Sequence, residues 1–342
     1  MTSENTFRID FPRDDDCALL KALLKDTSAF VSGSELAKML NVSTPGVWGK
    51  LKKLQAAGFE IEAVRSRGYR LLAQPNALHP ALLKLEAEAH AVEMDCLYFP
   101  VIDSTNNEAE RQIANGRAGP FAILSSCQTK GRGRLGREWF SASAENLYLT
   151  VTFEPRLPAK QLQHFTLWCG IHLCQSFRKL LPKANLQIKW PNDLFCEGRK
   201  FAGMLTEAKL DSDGLKALFF GLGLNLNSNP NAFPKEIRNR ATSLQAISGE
   251  ALPINRTAIL ALKAVQAAYH TSIENSTSST QSLTEAWASL DCLEGRKVTA
   301  EFEGRTLSGI ANGIDSTGAL LLDIENGSEV AICSGDVSLT QY

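Results

Sequence analysis

The chain has 342 residues, of which 44 % are hydrophobic and 21 % charged, and its formal net charge is -1. That length allows two or three domains of ordinary soluble composition. The charge excludes a uniformly basic nucleic-acid binder, and no apolar run approaches the roughly 20 residues of a membrane span.

The acidic start (Glu4, Asp10, Asp14 to Asp16) lacks the basic and apolar pattern of a signal peptide. Eight cysteines (Cys17, Cys96, Cys127, Cys169, Cys174, Cys196, Cys292, Cys333) are scattered without C-x-x-C spacing, and the five histidines do not cluster. Reduced, mostly buried thiols, no zinc site and a cytoplasmic location are expected.

Residues 17–25 have helical periodicity, Ser32 opens a second helix through Leu40, and Val47 to Ala57 predicts a third, ended by Gly58. Phe59 to Val64 and Tyr69 to Leu72 predict a hairpin with Arg65 and Arg67 at its tip. This is the order of a winged helix-turn-helix. Seven Lys/Arg stand against three Glu between residues 33 and 70, a local balance of +4 that suits DNA phosphates. Ser43, Thr44, Lys50, Lys53, Arg65 and Arg67 are the candidate DNA contacts. Gly46 and Gly49 weaken the reading helix, and Pro45 is tolerated only in its first turn.

The winged unit is expected over 1–74, and a linker with a short helix near Pro80 to His90 over 75–94. A central domain is expected over 95–291 and opens with a strand at Leu97 to Val101. Ser104, Thr105 and Asn106 then stand at a strand-to-helix junction, either capping the helix or presenting hydroxyls to a small polar group. Ala122 to Ser126 is a buried strand leading to Gln128. Beyond it, Gly131 to Trp139 alternates glycine and arginine. Glycine lets backbone approach a ligand, and arginine forks onto phosphate or carboxylate. The run also fits G-x-G-x-x-G, but the next element is a strand rather than a helix, so the arginines carry the information.

Gln161 to Leu181 predicts a long helix in which His172 packs in the core. Lys189 ends an apolar strand and must be paired, snorkelling or aimed into a site, while Asp193 bonds a turn or faces a ligand. Gly203 to Glu207 and Phe219 to Asn227 are strands whose glycines imply close packing against a ligand or another backbone. Pro230 to Ala241 reads as a second mobile loop. Helices near Arg256 to Ile273 and Ser282 to Leu290 flank a Ser/Thr loop at 276–280. The tail, 292–342, has short alternating segments between glycine turns, predicting a small antiparallel barrel.

Ser104-Thr105-Asn106, Gln128 with Gly131 to Trp139, Lys189 to Asp193, Gly203 to Glu207 and Gly221 to Asn225 occur in the order of biotin protein ligases. With the amino-terminal winged helix, the chain resembles the bifunctional ligase/repressor form over nearly its whole length. The resemblance implies an α+β protein with a mixed-sheet catalytic domain of the class II aminoacyl-tRNA synthetase/biotin ligase type and a C-terminal SH3-like barrel. It implies a reaction of biotin with ATP and Mg²⁺ to give biotinyl-5′-AMP, followed by transfer to a lysine of a biotin carboxyl carrier protein.

It further implies that Ser104, Thr105, Asn106, Gln128 and Gly203 hold biotin, and that Arg132, Gly133 and Arg134 hold its carboxylate side and the phosphate. Lys189 would hold the carboxylate, with Arg132 and Arg134 as its catalytic partners. Arg137, Trp139 and Asn225 would contact the nucleotide, and Asp193 the nucleotide or metal. A homodimer formed on adenylate binding would bind operator DNA, using the sheet surface that also serves acyl transfer. Leu135 stands where a further arginine is common, Lys130 where a small residue is, and residues 86–93 are extra. The alternatives are a lipoate ligase and a transcription factor that only senses the adenylate.

Overall fold

The computed structural model describes residues 14–339 apart from 142–143, 156–157, 159–161, 213, 278–281, 303 and 326. Helices α1 (Asp14–Leu24), α2 (Gly33–Met39) and α3 (Thr44–Ala56) precede an antiparallel hairpin of β1 (Glu60–Val64) and β2 (Gly68–Ala73). Local chemistry sets the helix starts. Ser32 Oγ accepts from the Glu35 N–H at 3.0 Å, and Ser43 Oγ from the Gly46 N–H at 3.2 Å. Pro45 falls in the first turn of α3, where its missing donor costs nothing. Leu20, Leu36, Val47, Leu51, Phe59 and Leu71 close one small core.

Helix α4 (Pro80–Ala89) joins this unit to the rest. Its Ala81 and Leu82 belong to the small core, whereas Leu83 belongs to the large one. Asn255 fastens its approach, accepting from the His79 N–H at 2.9 Å and donating to the Ala77 carbonyl at 3.0 Å.

The central domain contains β3 (Asp95–Phe99), α5 (Thr105–Ala114), β4 (Phe121–Ser125), β5 (Leu147–Phe153), α6 (Phe165–Leu180), β6 (Leu186–Lys189), β7 (Asp193–Cys196), β8 (Arg199–Asp211) and β9 (Gly214–Leu224). After the sheet come α7 (Lys235–Arg238), α8 (Leu244–Ser248), α9 (Ile254–Thr277) and α10 (Leu283–Ala288). The seven strands pair in the order β3-β4-β5-β9-β8-β7-β6, and only β3 with β4 is parallel. Alternate side chains face opposite layers. Ile123 and Phe219 meet α5 through Ala109 and Ile113. Ala122, Leu124 and Val151 share a core with Phe165, Trp168 and Leu262 of α6 and α9.

Several elements differ from the expectation. The first central strand lies two residues earlier, and α6 begins at Phe165, with Gln161 outside the described residues. Helix α9 continues to Thr277, through the first two residues of the expected loop, and residues 278–280 of that loop lie outside the described residues. Pro230 to Ala241, expected as a loop, holds a short 3-10 turn (Pro230–Ala232) and α7, pinned by buried Phe233. His172 packs as expected, within 3.1 Å of Thr271 Oγ1, and burial lowers its pKa.

The tail forms β10 (Lys297–Phe302), β11 (Arg305–Ile314), β12 (Leu320–Ile324), β13 (Glu329–Ile332) and β14 (Asp336–Leu339), all antiparallel in the order β13-β12-β11-β10-β14. Among the described residues β13 and β14 do not pair, so the sheet is not closed into the expected barrel. Its Val298, Leu320, Leu322 and Val337 merge with the large core, and Trp190 Nε1 donates to the Gly318 carbonyl at 3.0 Å. All eight cysteines are free; Cys333 is exposed and Cys127 half-buried. Among the described residues no helix is long and apolar enough to cross a membrane.

Candidate functional site

The glycine–arginine segment folds as a tight excursion between β4 and β5. The Gly133 N–H donates to the Arg137 carbonyl at 2.7 Å, and the Trp139 N–H to the Gly131 carbonyl at 2.9 Å. Leu135 at its tip adopts a left-handed backbone (φ 57°) and is 72 % exposed. A side chain at Gly131 would meet Ser141 Oγ and the Trp139 carbonyl at 2.5 Å, so only glycine closes the base of the loop.

Beneath the loop is a cavity of ≈ 130 Å³. Ser104, Thr105, Asn106 and Gln128 form its neutral polar end. The capping alternative for Ser104 does not hold, because its side chain makes no cap hydrogen bond. Gln128 caps α5 instead, its Oε1 accepting from the Thr105 N–H at 2.8 Å and from Thr105 Oγ1 at 3.1 Å. Asn106 is held at both ends: Oδ1 accepts from Thr150 Oγ1 at 2.5 Å, and Nδ2 donates to Glu207 Oε2 at 2.6 Å.

The floor is a patch of strand glycines. A Cβ at Gly221 would lie 2.5 Å from Asn106 Oδ1, and one at Gly203 would lie 2.9 Å from Trp139 Cζ3. A Cβ at Gly223 would overlap Trp139 Nε1 and Cε2 and lie 2.9 Å from Cδ2. The indole of Trp139 thus lies against bare backbone, the close approach that the strand glycines imply.

A second cavity of ≈ 280 Å³ adjoins the first, lined by Lys189, Phe195, Asn225, Phe233, Ile237 and Arg240 among others. The two share a wall of Arg137, Glu138, Trp139, Asp193, Lys200 and Asp336. Lys200 Nζ pairs with Asp193 Oδ1 at 2.7 Å and lies 5.1 Å from the Trp139 ring centre. Arg137 pairs with Asp336 at 2.6 Å, which raises the arginine's pKa. Burial alone would raise Asp336, but Arg137, Lys189 and Arg134 outweigh it and hold the carboxyl below its usual range. Arg134 reaches Asn192 Oδ1 at 3.1 Å, and burial lowers its pKa despite nearby Asp193 and Asp336. Arg132 pairs with Glu207 at 2.7 Å.

The predicted residues Ser104, Thr105, Asn106, Gln128, Arg132, Gly133, Arg134, Arg137, Trp139, Asp193 and Gly203 therefore meet around the first cavity. Lys189 and Asn225 line the second; Lys189 Nζ sits 5.4 Å from the Phe195 ring centre. The lysine that reaches the first cavity is Lys200, which no motif in the sequence marks, and the same holds for Asp336; Asn192 and Glu207 lie inside motifs that assign them no role. Lys200 is the second residue of β8, just past the Glu197–Gly198 turn, and a register shift between Leu194 and Phe195 in the β7–β8 pairing breaks the alternation that would have pointed to it.

On the winged unit Thr44, Lys53 and Arg65 are exposed. Ser43 is spent as the α3 cap, and Arg67 stacks on Phe30 with 4.2 Å to the ring centre. Lys50 departs from the expectation. It pairs with Asp15 at 3.4 Å and Asp16 at 3.2 Å, and its side chain is 18 % exposed. Arg70 is neutralised by Glu62 at 2.6 Å. The +4 balance counted only residues 33–70, and the fold brings α1 carboxylates against it.

Three family models match: the biotin/lipoate A/B protein ligase family over residues 98–225, an HTH domain over 18–70, and the biotin protein ligase C-terminal domain over 295–340. The bifunctional ligase/repressor BirA of Bacillus spizizenii is 30 % identical over 94 % of this chain and 97 % of its own length. That of Escherichia coli is 27 % identical over 96 % and 98 %. The biotin protein ligase of Aquifex aeolicus, solved in complex with biotin and ATP, superposes with a TM-score of 0.60 at 28 % identity, covering 72 % of this chain and 99 % of that one. With the cavities, the winged unit and this full-length similarity in agreement, the chain belongs to the bifunctional ligase/repressor branch of the biotin protein ligase family.

Proposed function

We propose that the chain activates biotin with ATP as biotinyl-5′-AMP and transfers it to a lysine of a biotin carboxyl carrier protein. The carrying observation is the pair of adjoining cavities whose shared wall holds Lys200 and Arg137, each fixed in place by a carboxylate, Asp193 and Asp336. Two ligands placed in them would meet at Lys200 and Arg137. Joining a carboxylate to the α-phosphate sets anion against anion, so fixed cations at the junction stabilise the developing charge. A carboxylate oxygen attacks the α-phosphorus and pyrophosphate leaves; the acceptor amine then attacks the acyl carbon and AMP leaves.

The first cavity suits biotin. Ser104, Thr105, Asn106 and Gln128 offer neutral partners to a ureido ring, and the Trp139 indole, seated on the strand glycines, offers an apolar face to the acyl chain. Lys200 takes the carboxylate here, with Arg132 and Arg134 beside it, while Lys189 and Asn225 face the nucleotide. Mg²⁺ would arrive with the triphosphate, needing only one or two protein carboxylates. Asp193 and Asp336 on the shared wall fit that requirement, and the ion would screen the phosphates. The arginine loop would keep water from the adenylate. The C-terminal sheet, taken as SH3-like, contributes Asp336 and Ser338 to the second cavity.

The same chain would bind operator DNA through α3 and the β1–β2 wing, as an adenylate-promoted homodimer. Incubation with biotin, ATP, Mg²⁺ and apo-carrier should shift the carrier's mass by one biotinyl group. Acceptance of lipoate instead would point to the lipoate branch of the family. A sensor that makes no adenylate would leave bystander lysines unlabelled after Arg134→Gly, whereas a ligase so altered should label them. A promoter-fragment gel shift unaffected by biotin and ATP would remove the repressor role alone.

A further inference from the structure

Glu207 lies on β8 at the margin of the arginine loop and makes no contact with the adjoining nucleotide cavity. One of its oxygens, Oε2, accepts from two places at once. Asn106 Nδ2 donates to it at 2.6 Å from the polar end of the first cavity, and Arg132 Nη2 at 2.7 Å from the loop. The other end of Asn106 is fixed by buried Thr150, and Gly221 leaves room for that arrangement only because it has no side chain. Arg132 spends only Nη2 on its two acidic neighbours, Glu207 and, at 3.7 Å, Glu110. Its Nε and Nη1 form no hydrogen bond among the described residues, so the fork stays open toward the cavity.

We propose that Glu207 is a positioning residue that ties loop closure to occupancy of the polar pocket. Its carboxylate orients the amide of Asn106 and holds Arg132 with its remaining donors facing the ligand's anionic centre. Reordering Asn106 on a bound head group is then felt at Arg132 through a single shared oxygen. Glu207 itself touches no reacting atom. This proposal rests on reading the first cavity as the biotin site.

The opposite role is a competing latch, in which Glu207 holds Arg132 away from the ligand. The two predict changes of opposite sign. The test is the release rate of preformed, radiolabelled biotinyl-5′-AMP from full-length wild type, Glu207→Gln and Glu207→Asp. KM for biotin and the saturated transfer rate are measured alongside. Positioning predicts roughly tenfold faster release and a similar rise in KM for Glu207→Gln, the size of one lost charge-assisted hydrogen bond, with transfer rate at saturation little changed. Glu207→Asp keeps the charge on a shorter arm and should recover part of the loss. Slower release or a lower KM in Glu207→Gln would overturn the proposal, and so would unchanged values in both variants. If Glu207→Gln does not fold, Glu207→Asp alone decides: release indistinguishable from wild type refutes the role. Wild type that forms no adenylate would instead refute the ligase reading.

Discussion

Substituting Gly223 by alanine should disable the site without unfolding the protein. Gly223 lies in β9, paired on both sides, with Tyr148 of β5 and Gly203 of β8. Its backbone is not left-handed, so alanine brings no φ penalty; the conflict is one of space. The new methyl would overlap Trp139 Nε1 and Cε2 and lie 2.9 Å from Cδ2, where ordinary carbon contacts are about 3.5–4.0 Å. A strand bonded on both edges cannot retreat, so the indole must lift by about 1 Å and carry the end of the loop with it. Overpacking of this kind costs about 1–3 kcal/mol. Here the loop rather than the core relaxes, so the cost should fall on ligand closure, weakening adenylate retention by roughly 5- to 150-fold.

Trp139 fluorescence and adenylate release report this directly. Gly49→Ala is the matched control, because its Cβ would meet nothing within 4 Å. It should leave release unchanged and stabilise α3 by about 0.5–1 kcal/mol. Wild-type release from Gly223→Ala, with an unshifted indole spectrum, would refute the packing argument.

Lys200→Met should lower adenylate formation by about two orders of magnitude or more, while Lys189→Met should act mainly on KM for ATP; pyrophosphate release measures both, and equal losses would contradict the assignment. Arg65→Ala should reduce the magnitude of the salt slope of DNA binding by about one, whereas Lys50→Ala, already paired with Asp15 and Asp16, should leave the slope and lower thermal stability. Burial lowers the pKa of His79, His164 and His172, so the unfolded chain binds more protons as pH falls through about 6.5. Stability is therefore full above that value and declines below it, and urea midpoints that rise between pH 7.5 and 5.5 would contradict this.

Residues whose local pattern also sets their tertiary place were legible from sequence. The α2 cap at Ser32 and the strand glycines Gly203, Gly221 and Gly223, packed against Trp139 and Asn106, landed where their chemistry pointed. What escaped depends on the path of the chain between elements. Lys189 was conspicuous because it ends an apolar strand, yet the β6–β7 hairpin turns it toward Phe195. Lys200 stands just past a turn in a charged stretch that singles out none of its members, and its place opposite Phe195 in the irregular β7–β8 pairing sets it beside Trp139. Likewise Lys50 counted as free for DNA until α1 supplied two carboxylates more than thirty residues away in sequence.

The junction helix α4 is built into both halves of the molecule. Neighbouring residues on it, Leu82 and Leu83, fill different interiors, so neither half presents a finished surface when the other is removed. A truncated enzyme starting after α4 would leave a hollow where Leu83 sat, and a DNA-reading fragment ending before it would bare the seat of Ala81 and Leu82. Shortened versions designed to separate the two activities should therefore divide the chain on either side of this helix only if they supply a substitute for it. A drop in ligation on deletion would otherwise measure a damaged interior rather than lost communication between the parts.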